Sequence, residues 1–248
     1  MPILVKTRPF GFVLLFVAAA YAYDALRTDS TRTGRASFYH SRSGQGTCAL
    51  PGTPPWDSFY VALNRRDFAK STACGACAWI YHDSDSVQVR VIDRCAGCGK
   101  GKIDLSRAAF RKLATLGTGH IGVRWRFAAC PDSSFAVRRT AGSSGFWTSL
   151  QAWGLPWPVE SLMVARPDGS WLRFRKERHN HFTARALPFQ PWVLRTVDLH
   201  GRVRLDSLSE FLPGDTLLLD EIEPDSTDSG EVLPVQARPD SAVYLPGQ

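Results

Sequence analysis

A mainly β protein of two domains is predicted by three features of the sequence. Short runs of β-forming residues bounded by Gly, Asp or Ser recur through the first half, at 34–39, 59–63, 78–82, 87–92 and 122–127. All six cysteines lie at or before Cys130 and none follows Pro131, which marks a domain boundary there. From 135 to 212 the pattern becomes a series of hairpins.

The first-half runs alternate or are fully apolar, as in a β-barrel or sandwich occupying residues 34–131. One helix interrupts them. Ser106 is a good N-cap, and Ala109, Phe110, Leu113 and Ala114 form a helical stripe that ends at Gly117. Asp104 therefore sits where a strand hands over to a helix, and Asp93 closes the apolar run 87–92. In the second half, residues 162–174 read as two strands about a Pro-Asp-Gly turn, and 192–205 repeat the plan about His200-Gly201. This predicts a small β-sandwich over residues 132–213.

At the N-terminus, Lys6 and Arg8 precede an almost unbroken apolar run, 10–22, that closes on Ala20-Tyr21-Ala22. A basic region, a short apolar core and a small-x-small ending describe a secretory signal peptide over residues 1–22, followed by a linker over 23–33. The run is shorter than the roughly 20 residues a bilayer demands, so the mature protein is expected to be secreted, with no stable membrane association. At the other end, residues 214–248 carry eight acidic residues against Arg238 alone, with interspersed prolines, and read as an acidic tail. The signal region carries +2 and the tail −7, so the total of +7 leaves residues 23–213 at +12. Such a basic surface outside the cell suits acidic wall polymers better than nucleic acid.

Cys74, Cys77, Cys95 and Cys98 match the spacing of a zinc ribbon, two C-x2-C pairs separated by seventeen residues. An exported chain meets an oxidising compartment, however, where an even number of cysteines reads as disulfides. Cys48 and Cys130, near the two ends of the same domain, complete three bridges. Six cysteines allow 15 pairings, and the sequence does not choose among them. No metal or cofactor is expected.

Two carboxylates at strand ends around one groove are the raw material of acid and base chemistry on a glycosidic bond. On spacing alone, though, Asp93 and Asp104 read more readily as caps of a turn and of a helix approach. The motifs are more specific. The segments Gly34-Arg-Ala-Ser-Phe-Tyr39, Ala73-Cys-Gly-Ala-Cys77, Val89-Arg-Val-Ile-Asp-Arg-Cys-Ala-Gly-Cys98 and Ile103-Asp-Leu-Ser-Arg-Ala-Ala-Phe-Arg-Lys-Leu113 resemble the expansins. That resemblance implies a six-stranded double-psi β-barrel followed by an immunoglobulin-like β-sandwich, and it extends over residues 34–213. It implies that Asp104 takes the place of the aspartate shared with the catalytic acid of family 45 endoglucanases, that Asp93 is a second groove aspartate, and that Ser37 replaces a neighbouring threonine. Tyr39 joins them on the substrate side. The endoglucanase base falls in a stretch that here reads Ser37-Phe-Tyr-His-Ser41, without a carboxylate. Cys95 stands where bacterial expansins often carry a groove tyrosine.

The second domain contains Trp147, Trp153, Trp157, Trp171 and Trp192. Flat rings stack on the apolar face of a pyranose, yet most tryptophans in a sandwich are core, so about two of the five are expected to be exposed for binding. The resemblance continues through Ala141-Gly-Ser-Ser-Gly-Phe-Trp147, Asn180-His-Phe182 and Thr196-Val-Asp-Leu-His-Gly201. It implies a line of three sugar-binding positions filled by Phe146, Trp147 and His179, and it places Thr140 where a lysine is common.

The expectation is a monomeric, secreted, non-enzymatic protein that binds plant-type wall polysaccharide and loosens it without hydrolysis; the candidate partners are cell-wall polymers, namely cellulose, xylan, pectin or peptidoglycan. Two other classes stand beside it. One is a lytic transglycosylase or weak endoglucanase working through Asp104; the other is a carbohydrate-binding protein whose barrel is an inert support.

Overall fold

The computed structural model of the protein describes residue 26 and residues 30–39, 46–50, 59–131, 134–219 and 242–245. The predicted signal peptide over residues 1–22 lies outside them, as do His40 and Ser41. No helix among the described residues is long and apolar enough to cross a membrane.

Six strands close the first barrel: β1 (Arg32–Tyr39), β2 (Tyr60–Leu63), β3 (Cys77–His82), β4 (Asp85–Arg94), β5 (Lys102–Ser106) and β6 (Ile121–Ala128). Around the barrel the order is β1-β5-β2-β4-β3-β6. Strands β1 and β5 are parallel, as are β2 and β4, while the remaining neighbours are antiparallel. Gly34 is required where β1 passes the β4–β5 connection, because a Cβ there would lie 1.7 Å from the Gly101 carbonyl oxygen. Two short helices flank the strands, α1 (Arg65–Phe68) and α2 (Arg107–Arg111). Asn64 caps α1 by accepting from the amides of Arg66 and Asp67. Ser106 caps α2 by accepting from the Ala109 amide at 3.0 Å. The helix that was predicted to run on to Gly117 is shorter than expected: regular geometry stops at Arg111, and Leu116–Thr118 form a separate 3-10 turn.

Strands β7 (Phe135–Arg139), β8 (Trp147–Trp153), β9 (Val159–Ala165), β10 (Trp171–Arg173), β11 (Arg175–Lys176), β12 (Phe182–Arg185), β13 (Trp192–Asp198), β14 (Val203–Leu208), β15 (Thr216–Leu219) and β16 (Ala242–Leu245) make two further sheets. Their orders are β10-β9-β13-β14 and β11-β12-β8-β7-β15-β16. Phe135, Leu150, Leu162, Val164, Phe174, Phe182, Trp192 and Phe211 fill the space between them. Both predicted hairpins are present, as β9–β10 and β13–β14.

The chain boundaries differ from the sequence reading at both ends. Strand β1 begins two residues inside the expected linker. Strands β15 and β16 lie within residues 214–248, read from charge as a tail; β15 adds to the sheet beside β7, and Leu217 is buried in the second core.

The two domains also share apolar surface. Ala136, Trp153 and Leu199 belong to the cluster built around Val61, Ile103, Phe110 and Trp125 of the barrel. Cys130 donates its amide to the Pro156 carbonyl at 2.8 Å, so the link between domains is itself hydrogen bonded into the sandwich.

Candidate functional site

The parallel β1–β5 ladder places Ser37 directly beside Asp104. The Ser37 hydroxyl donates to Asp104 Oδ1. The other carboxylate oxygen faces sulfur: Cys95 Sγ lies 3.0 Å and Cys98 Sγ 3.4 Å from Oδ2. These two cysteines form a disulfide, so neither sulfur carries a proton to donate. Asp104 thus rests against a disulfide wall on one side and a single hydroxyl donor on the other.

Asp93 is held differently. Its Oδ1 accepts from the amides of Thr47 and Arg94, each at 2.7 Å, and also from the Thr47 hydroxyl. Gly46 is pressed against the same carboxylate: its φ of 54 is left-handed, and a Cβ there would lie 2.4 Å from the Ile92 carbonyl oxygen and 2.7 Å from Asp93 Cβ. Only glycine lets the 46–50 segment come this close.

Tyr39, at the end of β1, lies where both carboxylates act on it. Burial first, then the charges of Asp93, Tyr60 and Asp104, push its phenol well above the ordinary tyrosine range. Its ring packs edge-on against Tyr60 at 5.4 Å, and its enclosed hydroxyl has no hydrogen-bond partner among the described residues.

The six cysteines pair as Cys48–Cys74, Cys77–Cys130 and Cys95–Cys98. The zinc-ribbon spacing is therefore split. Cys74 and Cys77 turn to different partners, whereas the second C-x2-C closes on itself beside Asp104.

In the sandwich, Phe146 is 87% and Trp147 40% exposed at the start of β8, with Arg185 of β12 opposite Trp147. Trp171 is the other exposed tryptophan of the five; Trp153 and Trp192 are buried, and Trp157 is half-buried against the His200 ring at 4.2 Å. The outer face of this sheet is polar between the barrel and Trp147, with Ser149 Oγ and His181 Nδ1 2.9 Å apart. Burial, with the charges of Arg138 and His179, lowers the His181 pKa.

His179 is exposed but does not stand free like Phe146. Its Nδ1 lies 2.9 Å from the Thr47 carbonyl oxygen, and its amide donates to Ser71 Oγ at 3.1 Å. The ring is docked on the barrel. Sequence reasoning passed over Thr47, Ser71, Gln151 and Arg138, which make this junction, because polar residues spaced so far apart carry no local pattern. Fully exposed Phe189 was missed as well.

Residues 58–125 match a family model described as lytic transglycolase, of the double-psi β-barrel class. The chain is 27% identical to Expansin-YoaJ of Bacillus subtilis (strain 168) over 206 residues, 81% of this chain and 88% of that protein. It is 39% identical over 126 residues to a papain inhibitor of Streptomyces mobaraensis, covering 45% of this chain and 81% of that one. Among solved structures it is similar to apo Clavibacter michiganensis expansin, with 26% identity, a TM-score of 0.72, and coverage of 77% of this chain and 96% of that one. A mutant of the same expansin in complex with cellohexaose superposes with the same TM-score at 24% identity.

Proposed function

The chain belongs to the expansin-like double-psi β-barrel proteins, and from that premise we propose that it is a secreted protein that binds cell-wall polysaccharide and loosens it without hydrolysis. The observation that carries the reading is the unequal standing of the two groove carboxylates. An inverting glycosidase sets one carboxylic acid at the leaving oxygen and leaves a second carboxylate free to activate water. Here Asp104 is oriented by Ser37 beside a disulfide, while Asp93 Oδ1 takes three donors and is committed to holding the 46–50 segment. Asp104 is then the group that competes for hydrogen bonds within a bundle of glycan chains, and Phe146 and Trp147 supply apolar faces for the same chain. The solved Clavibacter expansin complex with cellohexaose supports a glycan of this general kind. Three disulfides accord with export.

The test incubates the purified mature protein with cellulose, xylan, pectin and peptidoglycan, and measures bound protein, released fragments and creep of a wall strip under load. Creep without fragments is expected, abolished in Asp104→Asn. Trp147→Ala should weaken binding by about 1 to 3 kcal/mol, roughly 5- to 150-fold, as for a lost stacking surface. Fragments that depend on Asp104 would overturn the non-lytic reading.

A second reading, a lytic transglycosylase acting on peptidoglycan, is favoured by the family description over residues 58–125 and by the need of such an enzyme for one acid only. The peptidoglycan arm of the same experiment decides it. Because the papain inhibitor is the more identical of the two curated relatives described above, a papain assay belongs beside it.

A further inference from the structure

Three consecutive carbonyls of the barrel are held by three side chains of the second domain. Thr47 O lies 2.9 Å from His179 Nδ1, Cys48 O accepts from Gln151 Nε2 at 3.4 Å, and Ala49 O accepts from Arg138 Nη2 at 3.4 Å. A carbonyl can only accept, so His179 carries its proton on Nδ1 and donates. The opposite edge of the same segment serves the groove: the Thr47 amide and hydroxyl both donate to Asp93, and the Cys48 amide donates to the Ile92 carbonyl at 2.9 Å. The segment is thus a slab with one edge on Asp93 and the other on the sandwich sheet.

The second domain commits strained backbone to this contact. His179 (φ 64) and Asn180 (φ 57) are both left-handed, a conformation that costs a non-glycine residue free energy unless its surroundings fix it. Hydrogen bonds from both domains fix it. Gln151 Nε2 donates to the His179 carbonyl at 3.2 Å, Ser71 Oγ takes the His179 amide, and buried Asn180 donates to the Ala152 carbonyl at 3.4 Å.

We propose that His179 is a positioning residue rather than a stacking platform: with Gln151 and Arg138 it clamps residues 47–49, and through Thr47 it sets the orientation of Asp93 in the groove. The second domain then does two things. It grips the glycan through Phe146 and Trp147, and it holds the barrel groove in working shape. This role rests on the groove being the polysaccharide site proposed above.

Two substitutions at one position separate donor from ring. His179→Asn keeps an N–H donor near the Nδ1 position and tolerates the left-handed backbone, but offers no face to a sugar. His179→Phe offers the face without the donor. In the full-length protein, amide exchange at Thr47 is compared with exchange at Val123, a remote barrel strand position, together with polymer binding and creep. For His179→Phe, exchange at Thr47 should quicken by about 5- to 10-fold, the worth of one hydrogen bond, with Val123 unchanged. Its creep should fall while polymer binding stays within about 2-fold, well short of the loss of a stacking surface. His179→Asn should match the natural protein in all of these. The proposal is overturned if His179→Phe leaves Thr47 exchange unchanged, if Thr47 and Val123 shift together, or if His179→Asn loses binding that His179→Phe retains. Should the natural protein bind no polymer at all, the wall-loosening reading fails, while the exchange data still decide whether His179 positions Thr47.

Discussion

Tyr39 condenses the energetics of the proposed groove into one side chain. Its ring is well packed against Tyr60, but its hydroxyl is enclosed beside two carboxylates and has no partner among the described residues. A buried hydroxyl left without a hydrogen bond costs free energy that its apolar counterpart does not. Tyr39→Phe should therefore raise stability by about 1 kcal/mol, read as a higher urea midpoint at unchanged slope. A lower midpoint would mean that the hydroxyl is satisfied in solution. The roles of Asp93 and Asp104 diverge at this same scale. Both were singled out in the sequence by the expansin-type motifs, yet their hydrogen-bond partners, Thr47 for one and Ser37 for the other, come from segments 46 and 67 residues away. No local pattern ties such positions together.

At the scale of elements, the strands of the barrel were legible because alternation is a local property, and Ser106 was recognised as a cap for the same reason. Strand β15 was hidden. Its Thr216-Leu-Leu-Leu219 run is short, and the acids that follow dominate the composition of the segment. Yet β15 pairs along β7 from Thr216↔Arg138 to Leu219↔Phe135; Asp215 accepts from the Leu212 amide at 2.7 Å, and the Arg139 amide donates to the Asp215 carbonyl. Deleting everything after Pro213 should cost about 3 kcal/mol or more, from the burial of Leu217 and a row of ladder hydrogen bonds along β7. Thermal unfolding of the truncated protein checks this. An unchanged midpoint would return residues 214–248 to the status of a dispensable tail.

At the scale of the whole molecule, all three disulfides lie in the barrel, and one of them anchors the clamped segment: Cys48 bonds to Cys74 while its carbonyl is held by Gln151. In the chain-entropy description, a bridge closing a separation of 26 residues contributes about 3.5 kcal/mol, and one closing a separation of 3 less than half as much. Replacing Cys48 and Cys74 by Ala should thus destabilise the barrel more than replacing Cys95 and Cys98, as guanidinium unfolding of the two double variants would show; equal costs would refute it. The sequence by itself determined the class of this molecule: two β domains, cysteines confined to the first, two exposed tryptophans among five, and the expansin-type motifs around Asp93 and Asp104. Each of these is written in neighbouring residues or in composition. Only the tertiary structure decided which cysteines pair, that β15 joins the sheet beside β7, and that His179 faces the barrel with its donor nitrogen. Those outcomes depend on atoms brought within hydrogen-bond or disulfide distance across as many as 132 residues of chain, a proximity set by how the two domains pack and by no local period of the sequence.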